Sequence, residues 1–125
     1  FEMGYLNIEI NAYIDPRKSY VIDGSESDHL LAHEQLHFDI QEVFARKIRK
    51  RMQETQFVFD DLSKDLNKIF KSEMKACRDF QKKYDQETRH SVNKEKQAEW
   101  IELVEALLAD LEQYKKSSFK VPVEV

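Results

Sequence analysis

The stretch DHLLAHEQLHFDIQEVFARKIRKRM, residues 28–52, decides how this chain reads. On a helical wheel with His33 at zero, Leu30, Leu36, His37, Ile40, Val43, Phe44 and Ile48 share one broad face. Gln35, Glu42, Arg46 and Arg49 lie opposite. That period predicts one long amphipathic helix over 28–52. Ser25-Glu26-Ser27-Asp28 is a helix-start signal, because its oxygens accept free backbone N–H groups and its acids suit the positive end of the helix dipole. The basic run Arg46 to Arg51 suits the negative end, so it reads as a solvated helix end rather than a nucleic-acid site.

Within this helix His33-Glu34-Gln35-Leu36-His37 is an H-E-x-x-H. Residues four apart sit one turn apart on the same face, so both imidazoles can reach one cation. Glu34 is turned aside from direct coordination and is placed to take a proton from a metal-bound water. Zinc suits the pair: it accepts imidazole nitrogen, has no redox chemistry and acidifies bound water. The competing reading is a helix with two half-buried, hydrogen-bonded histidines. His29 is in register one turn earlier, where an exposed histidine is the default.

Two histidines leave a catalytic zinc short of a third protein ligand. The candidates are His90, Glu73, Asp85 and Glu87. A second helix is predicted over 60–84, with Leu62, Leu66, Ile69, Phe70, Cys77, Phe80 and Tyr84 inward. Folded antiparallel on the first, it returns His90 towards His33 and His37. Glu73 lies in the apolar stripe, where a carboxylate needs a partner. Asp85 could instead orient a ligand imidazole from behind. Tyr84 could steady an oxyanion, although its place in the stripe favours core. Cys77 reads as an inert buried thiol.

Beyond the helices, residues 7–14 alternate with period two and predict a half-buried strand. Asp15 to Lys18 is a turn, Ser19 to Ile22 a second short strand. A third helix is expected over 94–114, with Ala98, Trp100, Ile101, Val104, Leu107, Leu108, Leu111 and Tyr114 inward. The tail 119–125 is extended, and Pro122 suggests an edge strand or a tether. The expected architecture is therefore a single α+β domain over 1–125, a short antiparallel sheet beside three main helices. An exposed edge of the first strand could bind an extended peptide by β-addition.

Composition agrees. The 125 residues hold only 2 Gly and 2 Pro, which favours helices over a turn-rich β fold. No apolar run reaches a membrane span. A formal charge of −4 argues against a general nucleic-acid binder. One cysteine excludes an intrachain disulfide. Phe1 in place of an initiator Met suggests a trimmed or processed N-terminus.

The segment Leu30 to Ile40, followed by Ala45-Arg46-Lys47-Ile48-Arg49, resembles a bacterial family, the domain of unknown function 922 family. Its signature is H-E-Q-x-H-F-D-I followed by A-R-K/R-x-R. Its second block, Y-D-x-E-T-x-H-G, is matched by Tyr84, Asp85, Glu87, Thr88 and His90. The similarity runs from about residue 8 to Trp100. Leu36 and Ser91 stand where the family usually has Gly. The resemblance implies a zincin-like, zinc-dependent protease with His33, His37 and His90 on the metal and Glu34 as general base. It implies a peptide or protein substrate and a periplasmic, envelope-associated or secreted address. The alternative is a non-catalytic binding domain that retains the fold.

Overall fold

The computed structural model of the chain describes residues 2–12 and 27–125, with the side chains of residues 27, 28 and 30 excepted. The expected turn at 15–18, the strand at 19–22 and most of the helix-start signal at 25–28 lie outside the described residues. The element order is β1 (Met3–Glu9), α1 (Ser27–Glu54), β2 (Phe57–Val58), α2 (Leu62–Thr88), α3 (Lys94–Asp110) and β3 (Ser118–Glu124). Short 3-10 turns at Phe59–Asp61 and Glu112–Tyr114 precede α2 and follow α3.

This is the α+β class expected, three helices and one small sheet, but the sheet is mixed. Its order is β1-β3-β2, with β1 antiparallel and β2 parallel to β3. Pro122 therefore lies in the central strand, not in an edge strand or a tether. Hydrogen-bonding direction alternates along a strand, and both Ser117 and Val125 bond towards the β1 side. Pro122, in the opposite phase, turns its nitrogen away from β1. On that other flank the two-residue β2 pairs only with Val123 and Glu124, so the missing N–H costs no ladder bond.

Two apolar clusters share α1. Leu36, Ile40, Val43 and Phe44 pack with Cys77, Tyr84, Trp100, Val104 and Leu111 in an all-helical core. Farther along, Ile48 and Met52 meet Phe57, Ile69, Val121 and Val123 under the sheet. The helix rises 1.5 Å per residue, so the sheet end lies roughly 18 Å from the H-E-x-x-H turns. The β1 edge is thus not beside the motif. Helices α1 and α2 are antiparallel, as expected: Asp85 lies against His33 and Gln81 against His37, whereas Glu73 meets Arg51 at the other end.

Arg49 departs from the wheel. Expected on the solvent face, it is 1% exposed. Its Nε and Nη2 donate to the Ile10 carbonyl at 3.0 and 2.6 Å, and Nη1 donates to the Tyr114 carbonyl and to Glu42 Oε2, each at 3.0 Å. The wheel registers only the periodicity of α1, whereas the exit of β1 and the end of α3 close over this flank. Phe70 and Ala98, both expected inward, are exposed.

Helix α2 runs one turn past the expected boundary. Its C-cap Arg89 is left-handed, and three successive residues, Arg89, His90 and Ser91, have φ of 50°, 53° and 87°. L-residues adopt this region only at a cost. The turn is held by His90 N–H donating to the Asp85 carbonyl, Asn93 N–H donating to the Thr88 carbonyl, and a contact between His29 Nε2 and the Ser91 carbonyl. Asn93 then caps α3 by accepting from Lys96 N–H at 3.0 Å. Ser91→Gly is expected to stabilise the fold by about 1 kcal/mol, since Gly carries no penalty there. Thermal unfolding should shift up by roughly 4 °C; a lower midpoint would show that the Ser91 side chain contributes more than its backbone strain costs.

Candidate metal centre

His33 and His37 project from consecutive turns of α1 towards α2. Their rings meet edge to face with centroids 5.1 Å apart, and the Tyr84 ring contacts both, stacked on His33 at 4.5 Å and edge-on to His37 at 4.8 Å. Tyr84 is fully buried, and its hydroxyl donates to the His33 carbonyl at 2.9 Å. Burial pushes this phenol far above its ordinary range, and the charges of Asp85, Glu34 and Asp39 add to the effect against the Gln97 hydrogen bond. It is a core residue that stays an O–H donor and anchors the motif's backbone.

The third member of the group is Asp85. Its Oδ1 lies 3.0 Å from His33 Nε2 and 2.8 Å from His37 Nε2. Ligand atoms of His33, His37 and Asp85 all fall within 4.8 Å of one another, so the group could hold a metal ion. His90, expected there, is exposed and outside this group. The reason is the longer α2: Asp85 is still helical and faces the motif, whereas His90 follows the C-cap in the left-handed turn. Glu73 is three turns away and pairs with Arg51 at 3.5 Å. Glu87 accepts from Trp100 Nε1 at 3.0 Å. Asp39 accepts from Gln35 on its own helix.

Two glutamines outside the H-E-x-x-H motif also contact the histidines. Gln81 Nε2 donates to the His37 carbonyl at 2.9 Å, and its Oε1 sits 2.5 Å from His37 Nδ1. A backbone carbonyl can only accept, so the orientation of the Gln81 amide is determined by its partners. His37 Nδ1 must therefore carry the hydrogen. In the neutral ring, Nε2 then presents a lone pair to Asp85 Oδ1. Two acceptors 2.8 Å apart repel unless a proton or a cation lies between them. On His33, Nδ1 faces the side-chain amide of Gln97 at 2.9 Å, from α3, an amide that no backbone carbonyl orients among the described residues. Gln97 is buried, and its Nε2 has no partner among the described residues. The spacing of four from the expected inward Cys77 is the available signal for Gln81. For Gln97 it is the place three, four and seven residues before Trp100, Ile101 and Val104 of the inward stripe.

The donor set fits zinc. Two imidazoles and a carboxylate are ordinary zinc ligands, and donor atoms around a tetrahedral zinc stand roughly 3.3 Å apart, close to the 3.0 and 2.8 Å that separate Asp85 Oδ1 from the two Nε2 atoms. His37 also has behind it the kind of partner that holds a metal-ligating histidine in one tautomer. Side-chain exposure is 4% for His33 but 24% and 30% for His37 and Asp85, so the group opens to solvent on the His37–Asp85 side. Glu34, next to His33, is exposed. Cys77 is buried, its thiol pushed up by burial against a Gln81 hydrogen bond.

Fold and site together define a small helical α+β domain with a two-histidine, one-carboxylate centre capable of holding a metal. The chain belongs to a family described as bacterial protein of unknown function (DUF922), which it matches over residues 25–91. That span holds His33, Glu34, His37, Gln81 and Asp85, and ends before Gln97. No curated protein and no solved structure matches the chain significantly. No helix among the described residues is long and apolar enough to cross a membrane.

Proposed function

We propose that the protein is a zinc-dependent metallohydrolase acting on peptide or amide bonds, with His33, His37 and Asp85 as ligands and Glu34 as general base. One observation carries the reading: His37, its Nδ1–H committed to Gln81, aims a lone pair at a carboxylate that His33 also faces. Bound zinc would supply an acidified water and a Lewis acid for the carbonyl. His33 and His37 would hold the ion, and Gln81 keeps the His37 imidazole in the ligating tautomer. Asp85 adds a negative charge on the open side. Glu34 accepts the proton of the attacking water at its carboxylate and passes it to the leaving nitrogen. An envelope or secreted address belongs to the same proposal.

Protein purified without added metal should contain close to one zinc per chain. Glu34→Gln should retain that zinc and reduce hydrolysis of a peptide library at least a hundredfold. Absence of zinc would sink the metal reading. Zinc lost from Glu34→Gln as readily as from His37→Ala would show that Glu34 is a ligand and not the base.

A further inference from the structure

The outer face of α2 carries six cations in one row. Lys64, Lys68, Lys71, Lys75, Arg78 and Lys82 follow a 4-3-4-3-4 spacing and are all exposed. At 100° per residue they fall within a sector of about 80°, and the row extends about 27 Å along the axis. The sector lies about 180° from the mean direction of the buried Ile69, Cys77 and Tyr84. The row is therefore a ridge pointing straight away from the core. Lys75 pairs with Asp79 at 3.1 Å. Among the described residues, no carboxylate lies within 4.0 Å of the other five.

This ridge is out of character with the rest of the chain. Seven basic against five acidic residues give α2 a net charge of +2 in a chain of −4, so the remainder carries −6. Helix α3 alone is −3, through Glu95, Glu99, Glu102, Glu105 and Asp110 against Lys94 and Lys96. An anionic partner is thus attracted along α2 and repelled by α3, which orients the molecule as well as binding it.

We infer that the α2 ridge docks the protein on an anionic lipid surface. A straight convex line of cations makes full contact with a plane. Single-stranded nucleic acid is instead held in a basic groove with aromatic platforms. Beside this row lie Asn67, Met74 and the exposed Phe70 on one side and Ser72, Ala76 and Asp79 on the other, so a single aromatic borders a convex ridge rather than a series lining a groove. Phe70 is the one exposed large apolar side chain of α2, so binding is peripheral and governed mainly by charge.

The test is sedimentation of the full chain with vesicles of phosphatidylcholine containing about one-third phosphatidylglycerol, against phosphatidylcholine alone. Each cation near such a surface contributes about a fivefold factor, so binding to the anionic vesicles should exceed binding to the neutral ones by more than a hundredfold. It should vanish between roughly 50 and 500 mM salt. The triple variant Lys64→Gln, Lys68→Gln, Lys71→Gln should lose about a hundredfold. The charge-matched control Lys94→Gln, Lys116→Gln, Lys120→Gln should lose little. Circular dichroism on both variants checks that they fold. No preference for anionic vesicles, or equal losses in the two triple variants, overturns the inference. Tighter binding to a single-stranded oligonucleotide at the same salt, lost in the α2 variant, also overturns it and assigns the ridge to nucleic acid.

Discussion

Asp85→Ala is expected to weaken zinc binding by at least a hundredfold, while His90→Ala changes it by less than about threefold. Losing a partner behind a metal ligand typically costs ten- to a hundredfold, and losing a ligand should cost more. Asp85 Oδ1 is the one atom that both Nε2 atoms approach, at 3.0 and 2.8 Å. His90 is exposed beyond the end of α2. Titration with a competing chelator at constant pH measures both variants on one scale. A reversed ranking would return the third position to His90, the residue that the resemblance of the Tyr84-to-His90 block first indicated. Gln81→Leu provides an intermediate case: with the Nδ1 partner gone, the ring can change tautomer, and affinity should fall within the ten- to hundredfold range. An unchanged affinity would mean that His37 does not need Gln81 to present its Nε2.

Arg49→Ala should be the most destabilising single substitution remote from the centre, at about 3–5 kcal/mol. The guanidinium is buried and satisfied by two backbone carbonyls and Glu42. Truncation leaves the carbonyls of Ile10 and Tyr114 without their donor and leaves Glu42 with Arg46 alone, at 2.7 Å. Each orphaned buried acceptor has its own desolvation cost. For a chain of 125 residues the thermal midpoint should drop by roughly 12–20 °C. Arg49→Lys should recover only part of this, because an ammonium cannot reproduce the fork that spans Ile10, Tyr114 and Glu42. A drop below about 4 °C for the alanine variant would show that water replaces these bonds. The joint is more than a local ion pair: it ties the exit of β1 and the end of α3 to the middle of α1, and so couples the sheet to the bundle that carries the site.

The ridge on α2 and the centre on α1 and α2 share a helix but use different faces. Asp85 ends the inward series Cys77, Gln81 and Asp85, one position round from the Tyr84 packing line. The cations Lys64 to Lys82 keep to the outer side. Neutralising the ridge should accordingly leave zinc stoichiometry unchanged.

Local periodicity alone determined much of this protein. A helix brings residues four apart to one face whatever surrounds it, so His33 and His37 converge in the structure as the spacing required, and Glu34 is offset from them. The same period located all three helices and placed Tyr84, Trp100 and Cys77 in the core. What local spacing cannot contain is the identity of the element that packs opposite. Whether Asp85 or His90 reaches the histidines depends on α2 continuing to Thr88, a matter of a single turn. Arg49 reads as solvent-facing until β1 and the end of α3 cover it. Pro122 reads as an edge or tether residue until the strand's hydrogen-bond phase turns its nitrogen from β1. The tautomer of His37 is set by an amide 44 residues away in the chain. For Asp85, Arg49 and His37 a non-local partner supplies the donor or acceptor, for Pro122 the fold leaves the nitrogen without a ladder bond to make, and only the tertiary structure decides either.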